Sequence, residues 1–210
     1  MLYFLVNFFA RFGFPMACEK GDLDLLKQWT KHFNLTFEDI QFGNQTVLSW
    51  ACAGGQIETA QWLTDTFHFT SEDARFLGNH AFNMICINGH TDTGKWLVKT
   101  FGLTAEDARH SNNHFFRMAC TNGHLETAQW LVNTFSLTDE DVYSCGRCGD
   151  ALTGAIEKGR EEIVQWLLDT YYIVDGPLEF DEDNEDIPRK MKIWLKNYQP
   201  MGIFTKPAKF

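Results

Sequence analysis

Residues 118–131 read Met-Ala-Cys-Thr-Asn-Gly-His-Leu-Glu-Thr-Ala-Gln-Trp-Leu. Thirty-four positions earlier, residues 84–97 read Met-Ile-Cys-Ile-Asn-Gly-His-Thr-Asp-Thr-Gly-Lys-Trp-Leu. The same spacing of 34 separates Cys18, Cys52, Cys86 and Cys120. It also separates Gly21, Gly55, Gly89 and Gly123, and Phe33, Phe67, Phe101 and Phe135. A fixed period in this range means stacked supersecondary units, each burying its apolar face against its neighbours. A fifth, partial unit follows around Gly159, 36 residues after Gly123. The two extra residues fall between Asp141 and Ile156.

Each unit carries two helical patterns. The first is short, with apolar residues at i, i+3 and i+4 (Phe82, Ile85, Cys86; Phe116, Ala119, Cys120), and it ends at glycine. Glycine suits the left-handed residue that closes a helix. The second opens on an acid, Glu58, Asp92 or Glu126, which is favourable in a first turn. It continues through Ala60, Leu63 and Phe67, or Ala128, Leu131 and Phe135. Trp62, Trp96, Trp130 and Trp166 recur in it and read as packing residues. Thr-x-Glu-Asp then recurs at Thr36, Thr70, Thr104 and Thr138. Threonine caps a helix and the acids behind it fall in the first turn, so a short third helix is expected through Ala74-Arg75 and Ala108-Arg109. A Gly-Asn-His or Asn-Asn-His turn leads into the next unit.

Composition narrows the partner. The net charge is −10 and the isoelectric point about 5.1. A nucleic-acid binder needs clustered Lys and Arg against phosphate. An acidic chain suits a neutral or basic protein partner. Four of the six cysteines occupy one repeat position, roughly 10 Å apart in a stack of helices. That is too far for a disulfide, so they read as small buried thiols in a reducing compartment. Met1–Phe9 is apolar but lacks a basic leader and a small-residue cleavage site, and it is far shorter than the ~20 apolar residues of a span. The expected division is a capping segment at 1–15, a repeat array at 16–173, and an acidic linker with a C-terminal tail at 174–210.

The phrase Ala119-Cys120, Gly123-His124, Glu126, Thr127-Ala128, Trp130-Leu131 resembles the core of an ankyrin repeat, and Ile163-Val164 with Leu167-Leu168 in the fifth unit is closer still. The resemblance covers about residues 12–173. Two features depart from it. The helix-opening Thr-Pro-Leu-His is replaced by His80-Ala81-Phe82-Asn83, His114-Phe115-Phe116-Arg117 and Thr46-Val47-Leu48-Ser49. The hairpin finger is replaced by Leu-Thr-x-Glu-Asp-Ala-Arg. This variant is similar to arrays encoded by giant DNA viruses of amoebae. Tetratricopeptide repeats share the period, but their Trp-x-x-Leu-Gly-x-x-Tyr phrase is missing. The resemblance implies an all-α, ankyrin-like helical solenoid of about five stacked units, with short helical turns in place of β-hairpin fingers. It also implies a non-enzymatic, intracellular, monomeric scaffold for protein–protein interaction.

Residues that suggest chemistry recur with the frame. His80 and His114, and His90 and His124, are each 34 apart. Their repetition assigns them to structure, and the resemblance gives the histidine after glycine a hydrogen-bonding role. Cys145-Gly-Arg-Cys148 is half a zinc site without a second half. A metal-binding protein or enzyme using these cysteines is the alternative from another class. No phosphate loop, His-Glu-x-x-His or Gly-x-Ser-x-Gly occurs. No cofactor, catalytic residue or metal ligand is expected.

Columns that vary between units mark the candidate binding surface. They are Glu19, Ala53, Ile87 and Thr121 at the end of the first helix, Ser49, Asn83 and Arg117 at its start, and Phe37, Ser71, Ala105 and Asp139 in the connection. Variation beside fixed neighbours suggests exposure. The resemblance places such residues on the side where partners bind. The expected strip is Arg75, Asn83, Ile87, Arg109, Arg117 and Thr121. The tail, with Arg189, Lys190, Lys192 and Lys196 around Trp194, reads as a capping helix or as a docking segment of an adaptor, with Trp194 as its contact.

Overall fold

The computed structural model describes residues 13–42, 45–143, 151–171 and 184–198. The expected capping segment before residue 13, the Cys145/Cys148 pair and most of the acidic linker lie outside the described residues.

The chain is all-helical apart from one two-residue ladder among the described residues. Each unit opens with a first helix: α1 (Phe14–Lys20), α4 (Val47–Ala53), the second half of α6 (Ser71–Asn88), α9 (His110–Asn122) and α12 (Ala151–Glu157). A second helix follows: α2 (Leu23–Phe33), α5 (Ile57–Phe67), α7 (Thr91–Phe101), α10 (Leu125–Phe135) and α13 (Glu161–Thr170). Short connecting helices close the first four units: α3 (Phe37–Ile40), the start of α6, α8 (Ala105–Ala108) and α11 (Asp139–Tyr143). A last helix, α14 (Arg189–Asn197), follows the array. The first helices pack against one another in chain order, α1 on α4, α4 on α6, α6 on α9 and α9 on α12.

The sequence dictates where these helices start and stop. Asp22 accepts the Leu25 amide at 3.2 Å, and Thr46 accepts that of Ser49 at 3.3 Å. Thr70 and Asp73 form a reciprocal capping box, as do Thr104 and Asp107. At the other end, Gly89 takes φ 77° and its amide returns to the Ile85 carbonyl. A side chain there would be strained and would meet the His124 imidazole of the next unit.

The core is a set of columns. Ala17, Ala51, Ile85, Ala119 and Ala155 are buried along the first helices, beside Cys18, Cys52, Cys86 and Cys120. Burial pushes all four thiols far above their ordinary pKa, which keeps them protonated and unreactive. Leu63, Leu97, Leu131 and Leu167 line the second helices. The tryptophans are half-buried packing residues. Trp62, Trp96, Trp130 and Trp166 each meet the aromatic ring five positions on, edge to face, at 5.9, 6.0, 6.1 and 5.7 Å.

The connections differ from the expectation in two ways. The first is not wholly helical: β1 (Gln41–Phe42) pairs antiparallel with β2 (Gln45–Thr46). Thr46 is an extended N-cap (φ −82°, ψ 151°), so the chain enters α4 along a strand. The next two connections instead carry left-handed turns. Leu77, Gly78 and Asn79 have φ of 52°, 66° and 63°, and Ser111, Asn112 and Asn113 have 53°, 56° and 55°.

Gly54 has an ordinary φ of −86°, yet a Cβ there would overlap the Glu19 carbonyl of the preceding unit. Gly54→Ala is therefore expected to destabilise the protein by about 1–3 kcal/mol, as overpacking against backbone does. Urea unfolding followed by circular dichroism measures it. Gly102→Ala is the control, with open space around its Cβ but φ 63°. Its cost isolates left-handed strain from steric overlap.

Candidate binding surface

Two hydrogen-bond ladders join successive units. In the first, a side chain following the helix-ending glycine reaches back to the preceding unit. Gln56 Nε2 donates to the Glu19 carbonyl at 3.3 Å, His90 Nε2 to Ala53 at 2.9 Å, His124 Nε2 to Ile87 at 2.8 Å, and Arg160 Nε to Thr121 at 3.2 Å. The acceptors are carbonyls at the ends of first helices, where no intrahelical donor remains. A neutral histidine does this with its proton on Nε2.

The second ladder runs through the connections. Thr104 donates to Asp107 from its amide (2.8 Å) and hydroxyl (3.1 Å), and Thr138 does the same to Asp141 (2.7 and 3.1 Å). The same aspartates take an arginine from the unit before. Arg75 Nε and Nη2 meet Asp107 at 2.9 and 3.0 Å. Arg109 Nε and Nη2 meet Asp141 at 3.0 Å each. Each guanidinium also donates to a helix-end carbonyl, Gly102 at 2.9 Å or Ser136 at 3.2 Å. Asn79 and Asn113, in the left-handed turns, are a third residue donating to Asp107 and Asp141. Burial alone would raise the Asp141 carboxyl. The Arg109 guanidinium, Thr138 and Asn113 outweigh it and hold it at about 2.

The expected strip divides into three groups, two of them on these ladders. Arg75 and Arg109 are about one-third exposed, and each is paired with an aspartate. The backbones of Ile87 and Thr121 belong to the first ladder, while their side chains stay half-buried. The expectation that varying columns are exposed fails at the start of the first helix. Ser49 and Arg117 are buried there, with 2% and 8% exposed. Variation in that column is therefore not a mark of exposure. Asn83, in the same column, is half-buried and its Oδ1 has no hydrogen-bond partner. His80 and His114 are lowered from the ordinary histidine pKa by burial first, and for His114 by Arg117 and His110 in addition.

The tail helix packs on the last unit. Met191, Leu195 and Tyr198 are buried. Lys190 pairs with Glu161 at 2.8 Å, and the Tyr198 hydroxyl donates to Asp169 at 2.8 Å. Trp194 is half-buried, 5.3 Å from the Tyr198 ring. With Ile193, Gln165 and Asn197 it lines an open groove of about 400 Å³ between α13 and α14.

One exposed feature escaped the column comparison. Phe76 and Leu77 are large apolar residues, 46% and 49% exposed, at the left-handed turn. The signal lay in the alignment: the following unit places His110 and Ser111 at these positions. Among the described residues, no group of three His, Cys, Asp or Glu side chains is placed to hold a metal ion, and no helix is long and apolar enough to cross a membrane. A scan against protein-family models finds no match for the chain, and a search of curated proteins finds none either.

The Asp141 carboxyl titrates near 2 when folded and about 3.9 when unfolded. Its stabilisation is present above pH 4 and lost as pH falls from about 4 to about 2. Half-buried His80 and His114 act higher: the unfolded chain takes up their protons first, so stability falls as pH drops below about 6.5. Asp141→Asn is expected to cost about 1–2 kcal/mol at neutral pH, discounted for the part-exposed arginine. It should flatten the loss below pH 4 while leaving the loss below pH 6.5 intact. Denaturant midpoints across the pH range measure both.

Proposed function

We propose that this chain is an ankyrin-like solenoid serving as a non-enzymatic scaffold for protein–protein interaction. One observation carries the reading. The residues that might suggest chemistry are engaged by the frame. His90 and His124 bond to the preceding unit, the cysteines of the repeat are buried and protonated, and the capping aspartates hold arginines. Much of what differs between units, outside the buried column at Ser49 and Arg117, lies at or near the surface. A repeat array offers an extended, preformed surface on which a few side chains supply most of the affinity. Net charge −10 favours a neutral or basic protein over nucleic acid.

A second reading is an adaptor that recruits other machinery through its tail. Exposed Ile193, 53% accessible beside the groove that Trp194 lines, favours it. Removing the tail is a poor test, because Met191, Leu195 and Tyr198 cover the last unit. Ile193→Asp changes the outer face alone.

Affinity capture with the full-length protein under reducing conditions, read by mass spectrometry, tests both readings. The scaffold reading expects a defined protein partner whose retention falls about tenfold or more in Ile87→Arg, with unchanged circular dichroism. It also expects retention to survive Ile193→Asp and Cys145→Ser/Cys148→Ser. Loss on Ile193→Asp alone selects the adaptor. Loss on the cysteine double variant, together with equimolar zinc in the purified protein, overturns both.

A further inference from the structure

Phe76 and Leu77 occupy a place that folding alone would fill differently. Both leave nearly half of their surface in water, so they forgo a large part of what burial offers. Leu77 has φ 52° and ψ 44°, a conformation in which a bulky L-residue crowds its own backbone and which asparagine and glycine adopt more readily. The next unit makes the same turn with Ser111 at the equivalent position and His110 before it. The turn therefore does not require an apolar pair. Leu77 combines a left-handed backbone with about half of an apolar side chain left in water.

Exposed carboxylates stand on the connection that carries the pair and on the adjoining ones. Glu72 is exposed one helical turn before Phe76. Glu106 is exposed on the neighbouring connection, which the Arg75–Asp107 pair draws against this one at 2.9 Å. Glu38 is exposed on the connection at the other side, where Phe37 meets Phe69 ring to ring at 5.1 Å. The arginines of this face, Arg75 and Arg109, are each matched by an aspartate. An apolar knob among surplus carboxylates complements one kind of surface.

We infer that Phe76 and Leu77 form a docking site for a segment of a partner protein with an apolar anchor flanked by Lys or Arg. The inference rests on the scaffold reading and names the chemistry of the partner. Apolar contact supplies affinity at the knob, and Glu38, Glu72 and Glu106 supply selection by charge.

The test uses the full-length protein as bait for a displayed library of random peptides, at about 50 mM salt so that exposed charges act. Enriched peptides are then titrated against the wild type, Phe76→His/Leu77→Ser and Glu72→Gln/Glu106→Gln. The first double variant installs the residues of the sister turn, so its melting temperature is expected to be unchanged or higher. Enriched peptides are expected to pair Leu, Ile, Phe or Trp with at least two Lys or Arg. Their affinity should fall about tenfold or more in Phe76→His/Leu77→Ser. A smaller loss is expected in Glu72→Gln/Glu106→Gln, one that disappears at about 300 mM salt. Binders indifferent to the first variant overturn the site while leaving the scaffold reading, which the capture experiment decides separately. Enrichment of nothing, or of acidic peptides, overturns it as well. So does a marked drop in melting temperature on the swap, which would make the pair part of the frame. Sedimentation showing a wild-type dimer that the swap dissolves would make it a self-contact and overturn the inference too.

Discussion

The carbonyls at the end of each first helix have no donor in their own unit, and the array is organised around supplying one. Left unpaired and part-buried, such groups cost free energy comparable to a lost hydrogen bond. Gln56, His90, His124 and Arg160 each provide the missing donor from the following unit. Three residue types perform the task because only a donor of suitable reach is needed. The glycine before each of them turns the chain left-handed, which ends one helix and aims the next side chain backwards. Close approach at Gly54 and Gly89 then follows from the same geometry.

The connections solve a related problem with charge. A capping aspartate such as Asp107 or Asp141 satisfies its own helix start and also receives an arginine and an asparagine from the previous unit. Desolvation of the carboxylate is offset by several donors at once, which is the condition under which a part-buried ion pair is favourable. The left-handed turns at Asn79 and Asn113 belong to the same arrangement. Their strain brings an amide to the aspartate, and asparagine is among the residues that tolerate positive φ.

Most of this frame is legible in the sequence. The 34-residue period, the glycine stops and the Thr-x-Glu-Asp caps each state a local backbone requirement, and local requirements survive without a structure. The buried cysteine column and the packing role of Trp62, Trp96, Trp130 and Trp166 follow from periodicity in the same way. The binding surface is less legible. Arg75 and Arg109 look available in a linear chain, and only the approach of neighbouring connections reveals Asp107 and Asp141 beside them. Arg117 varies between units yet is buried, so variation alone does not separate surface from interior. Phe76 and Leu77 escape notice because apolar residues usually mark a core, and their exposure depends on a turn that the sequence does not announce.

The first ladder also bears on how such a chain can change length. Each of the three inner units holds one donor for the unit before it and one acceptor for the unit after it. A duplicated unit inserted between two others brings both, so the two new seams are satisfied without further substitution. A shift of a few residues within a helix would misalign every partner beyond it. The two-residue insertion falls between Asp141 and Ile156, and beyond it Arg160 still reaches the Thr121 carbonyl. Growth by whole units, with small irregularities confined to the joints, is the mode of descent that this seam permits.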